Sequence, residues 1–273
     1  MERTIASVAY ERFRALHERG RAFVMPNAWD AASAALLARV GFEALGSTSL
    51  GLAFSLGRQD GRHAITRDEA IAHAVLLSRA SGLPVNGDLE DGFGAAPQDC
   101  VATVEAAIAA GLGGLGIEDT TADPAHPLWD FDAAVTRIRG AAKAARGRIM
   151  LTGRTDNYLH GRTDLDDTVA RLTAFAEAGA DVLYAPGLPD MDAIRAVVRA
   201  VAPKPVNVLI GPDEPVPLAE LDAAGVRRVS VGGALYRSAM TSLIETAEAL
   251  RAGDLRAVTG AISGREIASL FPA

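Results

Sequence analysis

At 273 residues, 49% hydrophobic and 22% charged, the chain suits one large α/β domain or two small ones, and wholesale disorder is excluded. A formal net charge of -7 with no basic run lacks the footprint of a nucleic-acid binder, and no apolar stretch approaches the roughly 20 residues that span a bilayer. The single cysteine, Cys100, excludes a disulfide framework or a multi-cysteine zinc site within one chain and reads as a buried helix residue.

In chain order, residues 1–20 form an amphipathic segment with acidic residues, unlike a secretory signal, so we expect a cytoplasmic protein with an N-terminal helix. Short β-prone runs follow at 22–27 (AFVMPN), 43–49 (EALGSTS), 84–88 (PVNGD), 113–119 (GGLGIED), 148–154 (RIMLTGR), 181–186 (DVLYAP), 205–210 (PVNVLI) and 227–233 (RRVSVGG). Helix-period segments lie between them, and Gly41, Gly82, Gly111, Gly179 and Gly225 stand where helices would end before the next strand. Thr66 and Glu69 form a capping-box pattern at one helix start. Eight strand-helix units over this length imply a single (β/α)8 TIM-barrel domain over 1–273, with an open doubly wound sheet as the alternative. Residues 234–273 form a helical tail longer than one unit needs and suited to packing on another subunit.

Barrel chemistry sits at the C-terminal strand ends, which here are polar: Asn27 to Asp30, Ser47 to Ser49, Asp88 to Asp91, Glu118 to Thr120, and Arg154 to Asn157. Carboxylates converging from adjacent strands repel one another unless a cation sits among them, and oxygen-only donors favour Mg²⁺ (or Mn²⁺) over Zn²⁺. Asp88, Glu90 and Glu118 are the stronger candidates; Asp91 and Asp119 could equally be structural. Arg154 would project into the same mouth, clamping a carboxylate or phosphonate, pairing with the strand-4 acids, or both.

Other signals fail on context. GLGGLG (111–116) follows a helix and enters a strand, the reverse of a dinucleotide site. A Schiff-base mechanism has no lysine to use, since Lys143 lies in a helix and Lys204 precedes strand 7. Gly232-Gly233 after strand 8 fits either an anion-binding backbone or tight packing.

The motifs Asp88-Leu89-Glu90-Asp91-Gly92-Phe93-Gly94, Ser55-Leu56-Gly57-Arg58-Gln59-Asp60, Ile117-Glu118-Asp119 and Gly153-Arg154-Thr155-Asp156 resemble those of the isocitrate lyase and phosphoenolpyruvate mutase superfamily, across nearly the whole chain. The resemblance implies a Mg²⁺-dependent lyase that cleaves a C-C bond of a small 2-oxo or 2-hydroxy acid through an enolate-like species. A C-P bond enzyme, or an oxo-acid binding protein without turnover, is the alternative. It further implies that Asp88 binds the metal, with Asp60, Glu90 and Glu118 holding it directly or through waters. Thr48, Ser49 and Leu50 would receive the substrate carboxylate, and Arg154 its other end. A homodimer or homotetramer with an exchanged final helix is implied as well.

Several departures stand against these matches. The Lys-Arg-Cys-Gly-His loop of the isocitrate-type lyases is replaced by Thr120-Thr121-Ala122-Asp123-Pro124-Ala125-His126-Pro127-Leu128-Trp129, without a cysteine or lysine. Glu90 replaces an aspartate, and Pro186 stands where those lyases carry a glutamate. The acid-base group is then sought among His160, Tyr184, His126 and His63, with His160 preferred; Asp60 joins Arg154 and His160 in the expected catalytic set.

Overall fold

The computed structural model describes residues 5–61, 63–211 and 216–271. The expected N-terminal helix and tail begin and end outside them, at 1–4 and 272–273. Helix α1 (Ile5–Glu18) precedes strands β1 (Phe23–Met25), β2 (Leu45–Gly46), β3 (Val85–Asp88), β4 (Gly114–Glu118), β5 (Met150–Arg154), β6 (Val182–Tyr184), β7 (Val206–Leu209) and β8 (Arg228–Ser230). The helices between and after them are α2 (Ala31–Val40), α3 (Ser49–Ser55), α4 (Arg67–Ser81), α5 (Pro97–Ala109), α6 (Phe131–Ala145), α7 (Leu165–Ala178), α8 (Met191–Val201), α9 (Leu218–Ala223), α10 (Ala234–Arg251) and α11 (Gly264–Ala268).

All strand pairs are parallel, in the order β1-β8-β7-β6-β5-β4-β3-β2. A bridge between Asn27 and Gly46 joins the two ends, with Ala28 N donating to Gly46 O at 2.9 Å and Gly46 N to Pro26 O at 2.9 Å. That closure decides for the barrel over the open sheet. It needs glycine at 46, because a Cβ there would stand 2.6 Å from Asn27 Nδ2.

Local signals act as expected. Thr66 Oγ1 accepts from Glu69 N, and the Glu69 carboxylate accepts from Thr66 N at 2.9 Å, opening α4. Gly41 and Gly179 end α2 and α7 in the left-handed conformation, at φ 103° and 111°. β2 is shorter than expected: Ser47 N still donates to Asn86 O on β3 at 3.0 Å, but the chain turns at Thr48, which caps α3. GLGGLG serves packing: a Cβ on Gly114 would lie 2.5 Å from the Phe13 ring, so glycine admits α1 against the barrel floor.

The barrel interior is unusually polar, since Asn86, Thr152, Asn207, Arg228 and Ser230 are all buried there. Arg228 has no carboxylate partner among the described residues; it donates to Asn207 Oδ1 and Thr152 Oγ1, each at 2.9 Å. Burial pushes its pKa down to about 9. His17 on α1, 3.5 Å from Arg228 Nη1, is pushed down to about 3 by burial and then by Arg228. Its Nδ1 faces the Phe13 carbonyl at 2.9 Å, which selects the neutral tautomer with the proton on Nδ1 and turns the Nε2 lone pair to the guanidinium.

The outer helices bury one face each, as α6 does through Ala134, Ile138, Ala141 and Ala145. The exceptions are the two tail helices: the short α11 has no buried residue, and neither has the 18-residue α10, on which Leu243 and Ile244 are 59% and 58% exposed. No described helix is long and apolar enough to cross a membrane.

Candidate active site

The three acids of LEDGFG do different things. Asp88 closes β3, and its Oδ2 accepts from Ser49 N at 2.9 Å while Ser47 Oγ accepts from Asp88 N at 2.7 Å. Glu90 follows at φ +46°, a left-handed conformation uncommon for a side chain of its size, and is 9% exposed. Burial first, then Asp88, Asp60 and Asp91, push its pKa up to about 8. Asp91 faces another way: its Oδ1 meets His63 Nε2 at 2.7 Å and Phe93 N at 2.9 Å, with Arg137 Nη2 3.8 Å from its Oδ2. Asp91 therefore shapes the loop.

Glu118 ends β4 beside Asp88. Its Oε1 accepts from Thr120 Oγ1 at 2.7 Å and its Oε2 lies 2.9 Å from Arg154 Nη1; burial holds the carboxyl well above the ordinary carboxylate range, with Arg154 opposing. Asp60 reaches the cluster from the loop after α3, its pKa raised by desolvation and by Asp88 and lowered by hydrogen bonds from Ser49 and Gly61.

Arg154, at the end of β5, realises both roles open in the sequence: it faces the mouth and is paired. Asp156 grips its Nε and Nη2, and its Nη1 lies 2.9 Å from Glu118 and 3.7 Å from Asp88. Burial opposes its charge, and Asp156 and Glu118 more than compensate, so its pKa is raised. The Tyr184 ring lies 5.3 Å from the guanidinium, and burial pushes the phenol up to about 12.

Behind Arg154 is a buried support that sequence reasoning missed. Asp119 accepts from Thr155 Oγ1 at 2.7 Å, Asp156 N at 2.9 Å and Arg171 Nη1 at 3.0 Å, and Arg171 also donates to Trp129 O at 3.0 Å. Arg171 sits on the face of α7 that buries Thr168, Leu172 and Phe175, and a cation on that stripe was the available signal. The following loop is drawn back on itself: Thr121 N donates to Pro127 O and Trp129 N to Asp119 O, each at 2.8 Å.

These groups line a cavity of about 620 Å³ bounded by Ser49, Asp60, Glu90, Glu118, Arg154 and His160. His160 ends a one-turn 3-10 segment and is exposed; its ring has no hydrogen-bond partner among the described residues. The segment expected to receive a carboxylate is already engaged: Thr48 Oγ1 accepts from Gly51 N at 3.3 Å, and the Ser49 N–H belongs to Asp88. A Cβ on Gly233 would lie 2.8 Å from Leu50 Cδ2, so the glycine after β8 serves close packing there.

The donor set fits a hard divalent cation. It is all oxygen, and Asp60, Glu90 and Glu118 are held with their pKa values raised by burial and by neighbouring carboxylates, a cost that a bound ion would relieve. The side chains are nevertheless not gathered into one shell: no group of three or more His, Cys, Asp or Glu is arranged around a single point among the described residues, and Arg154 lies between Asp88 and Glu118.

Comparison with known proteins follows the same lines. The family model described as phosphoenolpyruvate phosphomutase matches residues 13–251. An uncharacterized protein of Mycobacterium tuberculosis is 35% identical over 246 residues, covering 89% of this chain and 90% of that protein. An oxaloacetate decarboxylase of Paraburkholderia xenovorans is 31% identical over 256 residues, covering 89% and 83%. Among solved structures, 2,3-dimethylmalate lyase superposes with a TM-score of 0.86 at 26% identity, covering 99% of this chain and 95% of that one. Oxaloacetate acetylhydrolase bound to its product oxalate gives a TM-score of 0.86 at 25% identity, covering 97% and 94%.

Proposed function

Since the chain belongs to the isocitrate lyase and phosphoenolpyruvate mutase superfamily, we propose that it is a divalent-metal-dependent lyase cleaving a C-C bond of a 2-oxo or 2-hydroxy carboxylate. The observation that carries this reading is the convergence of Asp60, Glu90, Glu118 and Arg154 on one cavity at the strand ends, with Asp88 beneath it 3.7 Å from Arg154 Nη1. The relatives' names, oxaloacetate decarboxylase and 2,3-dimethylmalate lyase, support carbon-carbon chemistry on small carboxylic acids.

Asp88 and Glu118 would hold Mg²⁺ or Mn²⁺, with Asp60 and Glu90 in reach directly or through water. The ion would supply Lewis-acid stabilisation of charge developing on the 2-oxo oxygen. Arg154, kept in orientation by Asp156, would bind the substrate carboxylate through Nη1, exchanging its 2.9 Å contact with Glu118 for the substrate once Glu118 turns to the ion. From a 2-oxo diacid the C3–C4 bond breaks with loss of CO2, and its electron pair forms the C2–C3 double bond of an enolate with the charge on the 2-oxo oxygen. From a 2-hydroxy acid His160 takes the 2-OH proton as the C2–C3 bond breaks, C2 becomes the carbonyl of the 2-oxo product, and the electron pair leaves on C3 as the enolate of the departing carboxylate. His160, exposed at the cavity rim, returns a proton to the enolate carbon. Thr120, bonded to Glu118, opens a loop that carries no proton-transferring cysteine.

We also propose a homo-oligomer, supported by the unburied α10 and the exposed Leu243, Ile244 and Leu255.

The test is the thermal midpoint with Mg²⁺, with oxalate as an enolate mimic, and with both. A ligand at one hundred times its dissociation constant adds about 2.7 kcal/mol. A large rise only with both ligands supports the site. No synergy means that the carboxylates are structural and the reading fails. Inorganic phosphate released from phosphonopyruvate would instead establish C-P chemistry, and binding without any product would leave an oxo-acid binding protein.

A further inference from the structure

The carboxylate-lined cavity is one lobe of two. Thr121, Asp123, Pro127 and His160 also line an outer lobe of about 610 Å³ that continues to Trp129 and Arg162. At about 30 Å³ of liquid per water, each lobe has room for roughly 20 waters, so a four-carbon acid held at Arg154 leaves the outer lobe to solvent.

The chemistry of that lobe is specific. Its wall is apolar, made by Pro127, Leu128 and Trp129, and the Trp129 ring is fixed by the Arg137 guanidinium 4.7 Å from its centroid. Its cation is Arg162, placed by the left-handed turn at Gly161 and by Arg162 N donating to Asn157 O at 2.9 Å. The Arg162 side chain is 49% exposed. Its ion contact among the described residues is a 3.5 Å approach to Asp167 Oδ2, an oxygen already bonded to Asn157 Nδ2 at 2.8 Å and Arg171 Nε at 3.0 Å. The guanidinium is therefore weakly committed. Of the two acids in the lobe, Asp123 is bonded to His126 Nδ1 at 3.1 Å and Ala125 N at 2.9 Å, and Asp130 is the N-cap residue of α6, where the helix dipole favours its charge.

Inner guanidinium, apolar wall and outer guanidinium match a molecule with two anionic ends joined by a hydrocarbon segment. We propose that the substrate is a 2-oxo or 2-hydroxy diacid longer than four carbons, its second carboxylate bound by Arg162; this rests on the enolate-site reading above. Arg162 is then the residue that selects chain length, and His160 lies between the two ends.

Calorimetric titration of the full chain in Mg²⁺ tests this with oxalate, 2-oxoadipate and 2-oxohexanoate, the last two differing only in the distal carboxylate. The expected result is that 2-oxoadipate binds at least about tenfold more tightly than 2-oxohexanoate, and that Arg162→Met removes this preference while Arg162→Lys keeps part of it. Equal binding of the two six-carbon acids by the unaltered protein overturns the proposal. So does an Arg162→Met variant that weakens oxalate and 2-oxoadipate by the same factor, which marks Arg162 as structural. If oxalate itself does not bind, the enolate-site reading falls and this proposal with it; if oxalate binds and the diacid preference is missing, only the second site is lost.

Discussion

Asp156 holds Arg154 along one edge, with Oδ1 2.6 Å from Nε and Oδ2 2.8 Å from Nη2, which leaves Nη1 to meet Glu118 at 2.9 Å. A two-point grip fixes the plane of a guanidinium as well as its position, and one bond would leave it free to turn. Asp156→Asn should therefore cost about 10- to 100-fold in kcat/KM, with oxalate affinity falling in parallel, because a neutral amide keeps the shape and loses the charge-assisted pair. An Asp156→Asn enzyme with unchanged oxalate affinity would show that the grip is not needed for binding.

Glu90 sets a pH dependence whose sign is fixed. Its folded pKa of about 8 lies above the ordinary 4.5, so between those values the folded chain keeps a proton that the unfolded chain has released. Its contribution to stability accordingly falls as pH rises through that window. In chelator-treated protein, Glu90→Gln should melt several degrees higher than the unaltered chain near pH 8 and about equally near pH 4.5. A difference that is the same at both pH values contradicts this account. Added Mg²⁺ should reverse the preference at high pH, since the carboxylate is then wanted and the amide is the poorer donor.

Arg171 and Asp119 are both buried and bonded at 3.0 Å, and Arg171 has a second carboxylate in Asp167, so removing Arg171 leaves Asp119 as a buried carboxylate without its cation. Arg171→Met should destabilise by about 3–5 kcal/mol, a fall in Tm on the order of 10 °C, and a double variant with Asp119→Asn should recover part of it. Thermal scans of the two variants decide the matter; additive losses would mean that the pair is not coupled.

For the tail, light scattering should return a mass well above 28.4 kDa. Leu243→Glu with Ile244→Glu should bring it to the single-chain value with the secondary structure kept, because both side chains are already in contact with water in the isolated subunit. A single-chain mass for the unaltered protein would end the oligomer proposal.

The sequence by itself determined the strand-helix units and the polar strand ends, while closure into a barrel rests on the bridge between Asn27 and Gly46. Strand-helix alternation, glycine at the helix ends and the Thr66–Glu69 cap are local signals, each decided within a few residues, and all are present in the structure. The strand ends carrying Asp88, Glu118 and Arg154 were legible for the same reason: the fold places chemistry where each apolar run stops. What only the tertiary structure decided is which acid faces the cavity. Asp91 and Glu90 are neighbours in sequence, yet one turns to His63 and Arg137 while the other enters the site at a positive φ, a choice made by residues 28 and 46 positions away for Asp91. In the Arg171–Asp119–Asp156–Arg154 support, Arg154 and Asp156 share one short motif, but Asp119 just after β4 and Arg171 on α7 join it from 37 and 52 positions apart, and no local pattern links them. Local signals fix elements because backbone geometry is local; a buried polar network is fixed by who can reach whom once the barrel has closed.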